Sequence, residues 1–154
     1  MKFIRTISRA ALIAMAVSLL ALAAVAQEKK ITAKDVPAAV ISAFKTTYPN
    51  ATIRGYAREK EKGKVFYEIE SREGTTTRDV LYNSDGTVAE VEESVAASEL
   101  PAEVQRAFKE KYPKAVITKA ERTTAGDKVS YEIVARQGKR KVTLEVDSSG
   151  RVLK

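Results

Sequence analysis

The chain has 154 residues, with 27 Lys and Arg against 20 Asp and Glu, and it contains neither Cys nor His. Without imidazole or thiol there is no Ser-His-Asp or Cys-His nucleophile, no zinc or copper site built on those ligands, and no disulfide. A catalytic role is not expected, and neither is a metal or cofactor.

The first segment reads as a removable leader. Lys2, Arg5 and Arg9 precede an apolar run over residues 10–23, and Ala24-Val25-Ala26 supplies the small residues that a signal peptidase reads. The run is short for a membrane span, so cleavage is expected after Ala26, with an uncleaved anchor as the alternative. The 128 residues that follow carry 24 basic and 20 acidic residues. That mild excess does not argue for nucleic acid, and no second apolar run follows. A periplasmic or secreted product is expected.

Residues 36–90 align with residues 100–154 at a constant offset of 64, with 21 identities in 55 positions and no gap. The chain is therefore internally duplicated. The expected division is a leader (1–26), an N-terminal segment (27–35), a first module (36–95) and a second (98–154).

Each module has the same order of elements. Pro37 suits the first turn of a helix, Val40, Ala43, Phe44 and Tyr48 share one helical face, and Pro49 stops it. Pro101, Val104, Ala107, Phe108, Tyr112 and Pro113 repeat this. The paired Tyr residues have the spacing of core packing, with ligand stacking as the alternative. Strands are expected over 51–58, 64–72, 76–82 and 87–91, then over 115–122, 128–136, 140–146 and 151–154. Alternation of Val65, Tyr67 and Ile69 with Phe66, Glu68 and Glu70 makes one face apolar. The fold class is α+β: two tandem α-β-β-β-β modules, each a helix packed on an antiparallel meander.

The shared pattern is Leu-Pro-Ala-x-Val…Phe-x-x-x-Tyr-Pro-x-Ala, then Tyr-Glu-Ile, then a polar-Gly turn and Val, over 36–88 and 100–152. It resembles the PepSY-like family, a group related in fold to the secreted beta-lactamase-inhibitor protein. That resemblance implies an exported protein of tandem α+β modules forming one concave sheet, with a binding or inhibitory role. It carries over no binding residue, because the matching positions are framework. The inhibitor protein has disulfides and this chain has no Cys.

If Glu73-Gly74 is a two-residue hairpin loop, Glu68 faces Asp79 and Phe66 faces Leu81 on the outer side of the sheet. The Glu68–Asp79 pair reads as solvated carboxylates neutralised by Arg54, Arg58 or Arg72, the alternative being a cation site. Asp85-Gly86 and Ser149-Gly150 lack the spaced acids of a calcium loop and read as hairpins. Glu68 recurs as Glu132, either a cross-strand partner or a contact residue. Phe66 and Leu81 become Ser130 and Glu145 in the second module, so only the first offers an exposed apolar pair, with Tyr56 as a further anchor and Glu68 and Arg58 as polar rim. The alternatives are an isolated surface pair, or cover by residues 27–34.

Charge divides as well: residues 36–95 hold eight basic and ten acidic residues, and residues 98–154 hold thirteen and eight. Lys139, Arg140 and Lys141 would either contact anionic lipid or an acidic partner, or protect a sheet edge. The expected function is a non-catalytic module that presents an open sheet face to an unknown protein or peptide of the cell envelope. The alternative is an envelope-surface or small-ligand sensor using the basic hairpin.

Overall fold

The computed structural model describes residues 27–153. The expected leader, residues 1–26, lies outside them. In chain order the elements are β1 (Gln27–Lys30), α1 (Ala38–Thr47), β2 (Thr52–Glu61), β3 (Lys64–Glu73), β4 (Thr76–Tyr82) and β5 (Val88–Ser94). The second half supplies α2 (Ala102–Lys111), β6 (Val116–Ala125), β7 (Lys128–Gln137) and β8 (Arg140–Asp147). A short 3₁₀ turn precedes each helix.

All eight strands form one antiparallel sheet in sequence order, β1 to β8. The halves join where Val91, Glu92, Glu93 and Ser94 of β5 pair with Thr124, Thr123, Arg122 and Glu121 of β6. Two expectations need correction at the ends. Residues 27–30 form a strand at the edge beside β2 rather than a cover over the sheet. Residues 151–153 form no strand, only a single bridge from Val152 to Val146.

Both helices lie on one face. α1 inserts Val40 and Phe44 among Val36, Ile69, Val80 and Tyr82, and α2 inserts Val104 and Phe108 among Leu100, Ile133, Leu144 and Val146. The tyrosines at both C-termini pack in the same clusters, Tyr48 5.3 Å from the Phe44 ring and Tyr112 5.8 Å from Phe108. Pro37 and Pro101 cap the helices one residue before their first turn rather than within it; their extended backbone aims the chain into the turn.

Each helix is also held by a strand turn. A Cβ on Gly86 would lie 2.7 Å from the Ala39 carbonyl oxygen, and one on Gly150 2.7 Å from that of Glu103. Both glycines have positive φ, 87° and 83°. Only Gly meets both demands.

The hairpins fix the register. Glu73 pairs with Thr76, so the loop is Gly74-Thr75. A two-residue turn of this kind needs positive φ at its first position; Gly74 supplies 58°, which Glu73 would adopt only under strain. The expected register is therefore wrong by two residues. Glu68 faces Leu81, Glu70 faces Asp79, and Phe66 faces Glu59 of β2. Gly138 at φ 61° sets the matching turn, so Glu132 faces Glu145 and Ser130 faces Asp147.

Candidate functional site

Among the described residues no helix covers the second face of the sheet. Its side chains follow from the strand register. One row runs Lys30, Ala57, Glu68, Leu81, Glu90 across β1 to β5. The next runs Gly55, Glu70, Asp79, Glu92, Thr123, Ser130. Glu28, Glu59 and Phe66 flank the first row, and Ser94, Glu121, Glu132 and Glu145 flank the second. The face is thus predominantly acidic, in a chain whose net charge is +7.

Several of these groups are withdrawn from water although, among the described residues, no element lies over them. Ala57 is fully buried, and Glu90 and Glu121 are only 8% and 7% exposed. Carboxylates on distant strands also act on one another: Glu90 on β5 is repelled by Glu59 and Glu61 on β2 and by Glu145 on β8.

Burial is the first cause of the resulting titration shifts, and repulsion adds to it. Burial and the neighbouring charges of Asp79, Glu59, Glu28 and Glu70 push Glu68 up to about 8. Asp79 rises to about 6 and Glu90 to about 7 by the same combination. Glu92 rises to about 9 through burial, a carboxyl–carboxylate hydrogen bond with Glu121 and repulsion from it; Lys119 opposes the rise and is itself ion-paired to Glu121. The expectation of a freely solvated carboxylate pair is therefore replaced by a partly buried acidic field.

The anchor set separates. Phe66, Leu81 and Glu68 lie on this face, but Phe66 and Leu81 are not opposite each other. Tyr56 and Arg58 do not belong to it. Tyr56 pairs with Ile69 and packs into the α1 core, and Arg58 pairs with Tyr67 on the helix side. The cause is a bulge between Ile53 and Gly55, which resets the alternation of β2. Lys139 sits in the β7–β8 turn, Arg140 and Lys141 begin β8, and all three are exposed.

Sequence reasoning missed the breadth of the acidic face. The signal was present in Glu70, Glu90, Glu92 and Glu121, but it emerges only once β5 and β6 are paired. It also missed a charged group under the helices. Arg78, 9% exposed, donates from Nε to Glu93 Oε1 at 2.6 Å, and Arg122 donates to the other oxygen of Glu93. The Arg78 guanidinium lies 4.1 Å from the Tyr48 ring centroid. Burial raises Glu93, but the two arginines outweigh it and hold its pKa low.

The chain matches the PepSY-like family twice, over residues 23–89 and 66–154, under the description "Putative beta-lactamase-inhibitor-like, PepSY-like". It belongs to the PepSY-like family. Solved structures share the fold. A BLIP-like protein of Bacteroides fragilis is 23% identical, with a TM-score of 0.60 over 77% of this chain and 84% of that one. A DUF2874 family protein of Bacteroides ovatus gives 23%, 0.60, 77% and 85% for the same quantities. A putative periplasmic protein of Bacteroides eggerthii gives 21%, 0.62, 77% and 86%. A search of curated proteins returns no match. Among the described residues no helix is long and apolar enough to cross a membrane.

Proposed function

We propose that this PepSY-like chain is an exported, non-catalytic binding module that presents the uncovered face of its sheet to a protein or peptide. The carrying observation is the asymmetry of the sheet. One face is filled by two helices, while on the other Phe66, Leu81 and a field of carboxylates have no cover among the described residues. A sheet face that partly withdraws Glu68, Asp79 and Glu90 from water without an ion pair among the described residues is poorly explained by stability alone. Export is supported by the leader pattern at residues 1–26 and by the periplasmic neighbour. Inhibition of a hydrolase is the specific form that the family description suggests.

The test is partner capture. Tagged protein is cross-linked in an envelope extract beside a Phe66→Ser/Leu81→Ser variant, which trims the apolar contacts and leaves the charges alone. Recovery of a protein by wild type, reduced about tenfold in the variant, is the expected result. Equal recovery would move the contact away from this face.

A second reading rests on the exposure of Lys139, Arg140 and Lys141 at the far edge of the sheet. It makes the chain an envelope-surface or small-ligand sensor that touches anionic headgroups. Salt-sensitive binding to anionic vesicles, lost on neutralising the three, is its signature.

A further inference from the structure

We propose that the occupant of the uncovered face is a Lys- or Arg-rich segment of a protein partner, whose cationic groups insert among Glu59, Glu68, Asp79, Glu90 and Glu92. The inference rests on the open-face reading above and adds the chemistry of the partner.

Charge complementarity is the first argument. Among the described residues the cations beside the middle of the face are Lys30, held to Glu70 at 3.8 Å, Lys119, held to Glu121, and Arg72, whose Nε donates to the Gly74 carbonyl oxygen. Glu59, Glu68, Asp79 and Glu90 have no ion pair or hydrogen-bonded cation among the described residues. Glu90 as a residue is nevertheless more than nine-tenths buried, with its carboxylate oxygens keeping contact with solvent at the open face. Buried carboxylates are ordinarily paired or hydrogen-bonded. The same chain obeys that rule under its helices, where Glu93 takes both Arg78 and Arg122. Glu59, Glu68, Asp79 and Glu90 lack the cation that Glu93 has on the covered face.

The second argument is extent. The unpaired groups lie on four strands, from Glu59 on β2 to Glu90 on β5, whose backbones stand about 14 Å apart in a flat sheet. One small ion cannot span this, whereas cationic side chains on an extended segment recur on one side about every 6.8 Å. Phe66 and Leu81 lie among the carboxylates and would receive the methylene stems of Lys or Arg. The floor allows close approach: Ala57 is small and buried, and Gly55 leaves room for Glu70, whose Oε2 would be 2.9 Å from a Cβ there.

Binding should also be linked to protons. Glu68, Asp79, Glu90 and Glu92 face the like charges of Glu28, Glu59, Glu61, Glu70, Glu121 and Glu145, with Lys30 and Lys119 as nearby cations. Their raised pKa values leave them partly protonated near neutrality, and a bound cation favours the ionised form. Protons are released on binding, and affinity rises with pH through that range.

The experiment uses the chain lacking residues 1–26, the expected mature protein, with a ten-residue oligolysine at low salt; decaglutamate is the control ligand. Titration calorimetry is run at pH 5.5 and 8, and amide NMR shifts locate the contact. Glu68→Gln/Glu90→Gln/Glu92→Gln is compared with Glu103→Gln/Glu110→Gln on α2. The first variant removes mutual repulsion, so it folds at least as well, which melting verifies. Expected are binding by wild type and by the helix variant, about tenfold weaker binding by the face variant, about tenfold weaker binding at pH 5.5, and shifts confined to the open face. Equal binding by both variants, or shifts elsewhere, would overturn the proposal. So would calcium chloride that saturates Glu28, Glu68 and Glu70 and displaces the peptide below about 1 mM, since it would assign the face to an inorganic cation. No oligolysine binding, with partner capture still dependent on Phe66 and Leu81, would sink the cationic occupant and keep the open-face reading. Failure of both would remove both.

Discussion

At the residue scale, the carboxylates of the open face make stability depend on pH in a stated direction. For Glu68, Glu90 and Glu92 the folded state holds a proton more tightly than the unfolded chain does. Their folded pKa values of about 8, 7 and 9 lie above the ordinary 4.5. Between pH 5 and pH 9 the native state binds more protons, so stability falls as pH rises. We expect a melting temperature about 5 °C lower at pH 9 than at pH 5.5, with the decline flattened in Glu92→Gln. An unchanged or rising melting temperature would contradict the buried acidic field. Two other residues test packing. Gly86→Ala adds a Cβ 2.7 Å from a carbonyl oxygen at positive φ and is expected to cost about 2 kcal/mol in urea unfolding. Tyr82→Phe removes a buried hydroxyl that lacks a hydrogen-bond partner and is expected to gain about 1 kcal/mol or change nothing. Gly86 stood out in the sequence because the duplication retains it as Gly150, yet its reason, contact with a helix carbonyl, lies in tertiary geometry.

At the element scale, the two halves differ under the helices. Ser71, Arg78 and Tyr82 of the first half correspond to Ala135, Val142 and Val146 of the second. The first half thus carries a polar inclusion where the second is apolar, and Arg78–Glu93–Arg122 ties β4, β5 and β6 across the junction. Glu93→Ala leaves Arg78 buried with the 3.6 Å contact to Glu73 and the Tyr48 ring, at an expected cost of about 3 kcal/mol. Arg78→Val/Glu93→Val removes both charges and is expected to cost far less. Equal losses in chemical denaturation would show that the pair contributes in its own right. Helices were legible because Pro37, Pro49 and their repeats punctuate a 3.6-residue pattern. Hairpins were legible to within two residues. The error came from placing Glu73 in the loop, where the demand for positive φ selects Gly74. Tyr56 and Arg58 were assigned to the wrong face because nothing in the local sequence announces the bulge at Arg54.

At the scale of the whole molecule, the duplication yields one continuous sheet rather than two independent units. The β5–β6 pairing and the Arg78–Glu93–Arg122 bridge couple the halves, so unfolding is expected to be a single transition. Phe44→Ala and Phe108→Ala, one in each core, should each lower that midpoint, by about 3–4 kcal/mol. Two separate steps in either variant would show that the junction does not transmit stability. The continuity of the sheet was implied by the family resemblance but not by the residues themselves, because residues 93–99 give only the absence of Pro and Gly, not the partner of β5. The strand order has a kinetic consequence. Every strand pairs with the next strand along the chain, and most of the connections are tight turns. Little loop entropy is lost before the first contacts form, and each hairpin templates the next. A sheet protein wired this way is expected to fold faster than sandwiches or barrels of similar size, whose strands must find distant partners.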